Sequence, residues 1–323
     1  MTTRTRYFVI LSLLVLAIGL GTGLVAYYVG RDASLGRGGL EELQWVSRDA
    51  AVVAYADVQD VMRSEIRQRI RDAVPASENG PREFLDRTGI DIEHDIDRIV
   101  AALQPHAGAE TDGLVLARGR FDEARIESLM RERGADVESY KGKRLIAYRR
   151  PTPAGDSVTL SFVEPGLVAV GSGPSVRAAI DLERDGDSVA NNTDLMNLIR
   201  PLETADAWAV GRMDRLLESA TLPDRVARQI PPVTWFSMSG RVDDSVTGVL
   251  RADARDEEAA ASLRDLVRGL MALARLQAGT QPLFQALLQS FSLSSEGKTV
   301  SLSFSVPGEA FDAIGRQPSQ KPQ

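Results

Sequence analysis

The first segment with a clear hydrophobic pattern is an apolar run near the N-terminus. From Tyr7 to Val29 the chain has 23 residues without a charge. A helix rises about 1.5 Å per residue, so this run is long enough to cross the roughly 30 Å hydrocarbon core of a bilayer. Arg4 and Arg6 precede it, and the positive-inside rule therefore places the N-terminus in the cytoplasm. We predict a cytoplasmic tip and a transmembrane helix within residues 1–29.

A cleaved signal peptide is the alternative interpretation of the same run. Its apolar region would be roughly 7–15 residues long, shorter than the run observed, and we therefore favour an uncleaved anchor. Gly19 and Gly23 form a GxxxG pair within the span. Small residues at this spacing let two membrane helices approach closely, so a homodimer through this helix is an alternative to a monomeric anchor.

Four further regions follow the predicted anchor. Residues 30–44 are rich in glycine and polar residues, which predicts a flexible linker. Alternating strand and helix patterns then fill residues 45–194 and 195–314, and a polar stretch near residue 190 separates these two parts. Residues 315–323 have the composition of a disordered tail. The pattern predicts an α+β fold of two similar halves, each with mainly antiparallel sheets covered by helices.

Two patterns in the first half make specific predictions. After a strand over Ala50–Val58, apolar positions recur at helical spacing from Val58 to Val74 and predict one helix that Pro75 ends. In the strand Val158–Val163, apolar and hydroxylated residues alternate. This alternation predicts that Thr159 and Ser161 point away from the core, toward a solvated face.

The second half contains the longest helical pattern outside the predicted membrane span, over residues 256–278, followed by a short helical pattern over 282–288. If these helices cover a concave sheet, their apolar side chains form either a packed core or a pocket for an apolar ligand, because such pockets are lined mostly by apolar side chains. The side chains predicted to line that pocket are Leu263, Leu266, Val267, Leu270, Leu273, Phe284, Leu287 and Leu288.

Two local alignments indicate that the halves are copies of one unit. Residues 113–120 align without gaps to residues 248–255, and both runs lead into a helix that begins with acidic residues. A rival alignment matches residues 158–162 to 300–304. We favour the first alignment because it preserves the order of strands and helices in the two halves.

The arrangement resembles an uncharacterised bacterial family of N-terminally anchored extracytoplasmic proteins with a duplicated α+β unit. The residues that carry the resemblance are Arg48–Val58, a turn into a strand with a central Tyr55, and the segment Thr88-Gly89-Ile90-Asp91 before Asp95-Ile96. The family's proline before Asp49 is absent here. The resemblance implies a fold and a location outside the cytoplasm, and it brings no activity and no catalytic residues.

The composition excludes several classes of ligand and of chemical site. The net charge is −7, which argues against a nucleic-acid partner because such binding depends on a basic footprint. The chain contains no cysteine, which removes disulfides and thiolate chemistry, and its two histidines are His94 and His106. Asp91, Glu93, Asp95 and Asp97 are dense in sequence, but they lack the spacing of a calcium loop and are predicted to be solvated charges.

No nucleophile, base and acid combine into a catalytic motif, and no cofactor fingerprint is complete. We therefore predict a non-catalytic binding or scaffold protein of the cell membrane. Its extracytoplasmic part, periplasmic in a cell with an outer membrane, would meet an envelope protein or a lipid. A carrier of an apolar ligand is the first alternative, and an enzyme acting on envelope polymers is the second.

Overall fold

The computed structural model describes residues 40–67, 69, 85–86, 89–105, 111–149, 157–215, 231–278 and 287–309. The predicted anchor with Gly19 and Gly23, His106, Phe284 and the tail lie outside these residues. Within the described ranges, no helix has the length and hydropathy needed to cross a bilayer.

The described chain is built mainly from strands. Among the elements that lie wholly within the described residues, six helices and three 3₁₀ segments accompany twelve strands. The helices are α1 Val58–Arg63, α2 Ile92–Asp95, α3 Glu123–Glu132, α4 Gly173–Asp185, α5 Thr193–Ile199 and α6 Glu257–Ala278, with 3₁₀ turns at Glu42–Trp45, Val189–Asn191 and Arg200–Leu202. The strands are β1 Val52–Asp57, β2 Ile96–Pro105, β3 Thr111–Gly119, β4 Asp136–Tyr140, β5 Lys143–Arg149, β6 Ser157–Glu164, β7 Leu167–Gly171, β8 Ala207–Arg212, β9 Val233–Val242, β10 Ser245–Ala254, β11 Ser292–Glu296 and β12 Thr299–Pro307.

All twelve strands belong to one antiparallel sheet, in the order β11-β12-β10-β9-β8-β1-β2-β3-β7-β6-β5-β4. The predicted α+β class with antiparallel strands and helices is confirmed. The prediction of separate sheets in the two halves is wrong, because β1 pairs with β8 and joins the halves edge to edge. Ala54 faces Ala209 and Tyr55 faces Trp208 across this central pair. Sequence periodicity identifies a strand but not its distant partner.

The helix predicted from Val58 to Val74 is interrupted early. Asp57 caps α1 by accepting a hydrogen bond from the Asp60 N–H, as the sequence predicts, but α1 ends at Arg63. Ser64 adopts an extended backbone, and its hydroxyl donates to the Val61 carbonyl oxygen at 2.6 Å. A serine hydroxyl that bonds to the backbone in this way competes with helix propagation, which periodicity alone does not reveal.

The sheet has two faces that are covered differently. The front face is the one that carries Tyr55 and Trp208, and its main cluster is covered by α4, α5 and the 3₁₀ turn Glu42–Trp45. The back face is covered by α1, α3 and α6. Of the described helices, those packed against β9–β12 are α1 and α6, and both lie on the back.

The prediction that Thr159 and Ser161 point toward a solvated face is wrong, because a helix covers that face of the sheet. These residues point to the front face, where α4 packs over β6, and Ser161 is fully buried. Leu160 and Phe162 pack on the back face as predicted. The alternation of β6 is therefore real, but both faces are covered at this point. The polar residues mark a helix-covered face instead of a solvated one.

Candidate functional site

A buried carboxylate fixes the start of the described chain to the centre of the sheet. Glu42 is 1% exposed, and its Oε1 atom accepts hydrogen bonds from Nε of Arg98 at 3.0 Å and Nε of Arg118 at 2.8 Å. Arg118 also pairs with Glu164, and Arg98 with the exposed Glu41. Since Arg98 and Arg118 face each other across β2 and β3, one carboxylate bridges two strands.

The environment of this network favours the charged form of Arg118. Burial lowers the pKa of Arg118, but its hydrogen bonds to Glu42 and Glu164 outweigh burial and raise that pKa above its ordinary value. The second oxygen of Glu42, Oε2, is buried and has no hydrogen-bond partner among the described residues. A buried ion-paired network with one unsatisfied atom is costly, so we interpret it as a structural clamp. The sequence contained no sign of it beyond two strand arginines.

A second set of charged groups lies where β1 and β8 meet α1 and the β9–β10 turn. Burial raises the pKa of Asp206, although the hydrogen bond that its Oδ2 accepts from the Val242 N–H at 2.7 Å lowers it. The nearby carboxylates of Asp60, Asp243 and Asp57 raise that pKa further. Asp206 therefore lies among carboxylates that disfavour its charged form.

The acidic segment predicted to be solvated contains a local contact. Asp91 Oδ2 lies 2.9 Å from His94 Nδ1, and the Asp91 backbone N–H donates to Asp95. Gln59 donates to Asp97 from α1. Across the residues that the structure describes, no three histidine, aspartate or glutamate side chains are grouped in a way that could hold a metal ion.

The leucines of α6 divide into a packed set and an exposed set. Ala259, Ala260 and Leu263 pack onto the back face against Val300 and Leu293. Further along the helix, Leu266 is 40%, Leu270 57%, Leu273 55% and Leu276 83% exposed. We call these four residues the leucine face. They recur at i, i+4, i+7 and i+10, which places them along one side of the helix.

The structure does not bring all the predicted pocket residues together. Leu263 belongs to the cluster under the first turns of α6, and Leu287 packs in a different cluster with Phe304. Leu288 is buried, Val267 is half-buried and Phe284 lies outside the described residues. Leu266, Leu270 and Leu273 point outward instead of lining an interior.

A glycine lies within the leucine face. Gly269 is on the same side of α6 as Leu266, Leu273 and Leu276, since it is three, four and seven residues from them. A Cβ built on Gly269 has no atom within 4 Å. Packing within the described chain therefore does not require glycine here, although glycine in a helix interior costs about 1 kcal/mol relative to alanine.

Comparisons with known proteins give no relative from which a function could be transferred. No protein-family model, no curated protein and no solved structure matches the chain significantly. The resemblance to an anchored extracytoplasmic family therefore stays a prediction carried by its short motifs.

Proposed function

We propose that this protein is a non-catalytic binding module, held on the outer side of the cytoplasmic membrane by the helix predicted over residues 7–29. Its contact surface is the leucine face of α6, and its partner is an envelope protein that presents an apolar helix. The observation that carries the proposal is the exposure of Leu266, Leu270, Leu273 and Leu276 along one side of a well-formed helix.

Exposed leucines that share one side of a helix indicate a contact surface. Burial of apolar area contributes about 25 cal/mol per Å², so four exposed leucines represent several kcal/mol of stabilisation that the isolated chain does not use. Single exposed leucines are ordinary, but a contiguous apolar patch is typical of an interaction site. The basic side chains Arg264, Arg268 and Arg275 lie on another side of the helix, and Asp265, at the border of the patch, pairs with Arg264 and Arg268.

Gly269 favours a helical partner. Without a side chain at this position, a second helix can approach the backbone of α6 closely between Leu266 and Leu273, as small residues allow in other helix pairs. An apolar stripe docked against such a helix is a common mode of recognition. A lipid would gain no specific contact from the missing side chain at Gly269. We therefore rank a carrier of an apolar ligand as the second candidate function.

The strand order supports a duplicated architecture for the module. From the centre outward, one side runs β1-β2-β3-β7-β6 and the other β8-β9-β10-β12-β11. The alignment of residues 113–120 with 248–255 matches β3 to β10, which hold the same place in the two series. The rival alignment matches β6 to β12, which do not. We infer that the halves are copies and that the hairpin of β4 and β5 is an addition to the first.

The test is purification of the full chain from detergent-solubilised membranes. We expect the wild type to elute with a stoichiometric protein partner, and the Leu270→Glu/Leu273→Glu variant to elute alone. The control Arg268→Glu/Arg275→Glu changes charge on the same helix and should keep the partner. Identical elution of the wild type and the leucine variant would contradict the proposal, and loss of a bound lipid instead of a protein would favour the carrier.

A further inference from the structure

The front face of the C-terminal half carries two rows of hydroxyl groups. Residues directly opposite each other in antiparallel strands point to the same face. Two rows of serines cross β9, β12 and β11 in this way, and the described helices that pack on these strands lie behind them. We call this surface the serine face; its residues are Ser237, Ser301 and Ser294 in one row and Ser239, Ser303 and Ser292 in the other.

Arg251 is the only long basic side chain within these two rows. It lies on β10 directly between Ser237 and Ser301. Its side chain is exposed, and it forms no ion pair or hydrogen bond with the described residues, whereas Arg98, Arg118 and many other arginines are paired with carboxylates. A guanidinium offers five N–H donors in a fixed fork, which suits a carboxylate or phosphate group.

The surroundings leave this guanidinium available for a ligand. The nearest acidic residue on the same strand and face is Asp253, whose Oδ1 accepts a hydrogen bond from the Thr299 hydroxyl at 2.6 Å. Ser237 is nine-tenths buried beside Arg251, and its hydroxyl makes no hydrogen bond with the described residues. Arg251 therefore lies between Ser237 and Ser301, with Val249 and Asp253 beside it along β10. On the same face, Glu296 lies opposite Thr299, and the Ser303 hydroxyl donates to the Ser292 carbonyl oxygen at 3.4 Å.

We propose that the serine face binds an acidic polysaccharide, with Arg251 holding a carboxylate of one sugar unit and the serines bonding to neighbouring sugar hydroxyls. Neighbouring strands lie about 4.8 Å apart, so the rows from β9 to β11 extend for about 14 Å. A surface of this length fits several units of an extended chain. Serine hydroxyls both donate and accept, as sugar hydroxyls do, and the short side chains keep the surface flat.

Because the molecule has a net charge of −7, binding of an anionic ligand at this face depends on the positive charge of Arg251. Without it, the serine face offers hydroxyl groups that would not distinguish acidic from neutral chains. Charge complementarity is thus local, and the affinity is expected to fall as salt rises. This inference concerns the front face of the sheet, and it stands apart from the leucine face on the back.

The test is binding of the full-length chain, in non-ionic detergent, to polygalacturonate and to neutral dextran of the same length. We expect calorimetric binding of polygalacturonate that Arg251→Gln weakens at least tenfold, and binding of dextran that is at least tenfold weaker. Arg275→Gln, which removes an exposed arginine from α6, is the matched control and should bind like the wild type.

A second variant changes the serine face and leaves the charge of Arg251 in place. Ser301→Leu keeps Arg251 but places a bulky apolar side chain beside it, and binding of polygalacturonate should again weaken while thermal unfolding stays within a few degrees of the wild type. No binding by the wild type, equal binding of dextran, or equal affinity of Arg251→Gln and Arg275→Gln would overturn the proposal. Binding of polyphosphate alone would replace the polysaccharide by a phosphate ligand and would overturn it as well.

Discussion

At the scale of single residues, Glu42 is the charged side chain that attaches the N-terminal segment to the sheet. It bridges Arg98 and Arg118 on two neighbouring strands, and a backbone hydrogen bond from the Val189 N–H to the Val46 carbonyl oxygen holds the same segment. Glu42 lies within the predicted linker, residues 30–44, whose end forms the 3₁₀ turn Glu42–Trp45. A pull from the predicted anchor would reach the sheet through Glu42 and this backbone contact.

Replacement of Glu42 by Gln should destabilise the fold by about 3 kcal/mol, because it removes the buried charged partner that Arg98 and Arg118 share. The measurement is the free energy of unfolding in urea. Glu41→Gln is the control, since Glu41 is 75% exposed and also contacts Arg98, and it should change that energy by less than about 0.5 kcal/mol. Equal effects of the two changes would show that the buried bridge is not a clamp.

Asp206 should make stability depend on pH. Its pKa is raised by burial and by neighbouring carboxylates, so the folded state favours the protonated form more than the unfolded state does. Its contribution is then fully present below the ordinary pKa of about 3.9 and is lost as pH rises through the raised value.

Asp206→Asn keeps an acceptor for the Val242 N–H and removes the charge. We expect the free energy of unfolding of this variant, minus that of the wild type, to be larger at pH 7 than at pH 4. Urea midpoints at both pH values check this. A difference between the two proteins that does not change with pH would mean that Asp206 is not in the environment described here.

At the scale of elements, sequence patterns predicted most strands and the long helix but not their surroundings. The periodicity of apolar positions correctly predicts the strand β6 and the helix α6. Ser161 is nevertheless buried and Leu270 exposed, the reverse of what their polarity suggests. Periodicity reports which residues share a side. It does not report whether another element covers that side, because the cover comes from distant parts of the chain.

Gly269 and Gly248 give opposite predictions for the same change. Gly269→Ala should stabilise the fold by about 0.5–1 kcal/mol, because the new methyl group meets open space and alanine favours helix. Gly248→Ala should destabilise it by about 1–3 kcal/mol, since its methyl group would lie 2.5 Å from the Phe304 ring. Thermal and urea unfolding of both variants measure this. A loss of stability in Gly269→Ala would reveal packing on α6 that the leucine-face account excludes.

At the scale of the whole molecule, the two halves form one sheet through β1 and β8, and the sequence could not have predicted this pairing. Trp208 is fully buried on β8, and its ring stacks on Tyr55 of β1 with centroids 5.6 Å apart. The two aromatic residues belong to the same front cluster as Val100 and Leu167. We therefore expect the halves to unfold together.

Trp208→Ala should cost about 3–5 kcal/mol, as for other buried aromatic residues, and the wild type should show one unfolding transition by both circular dichroism and tryptophan fluorescence. The conservative Trp208→Phe change should cost less. Two separate transitions in the wild type would indicate that the halves are independent domains in contact.

The most direct test of the proposed function is site-specific photo-crosslinking along α6 in intact cells. A photoreactive residue is placed in turn at Leu266, Leu270 and Leu273, and at the control positions Arg268 and Arg275. The account predicts one protein adduct of the same mass from the three leucine positions and none from the two arginine positions. Adducts from all five positions, or from none, would contradict the claim that the leucine face is the contact surface.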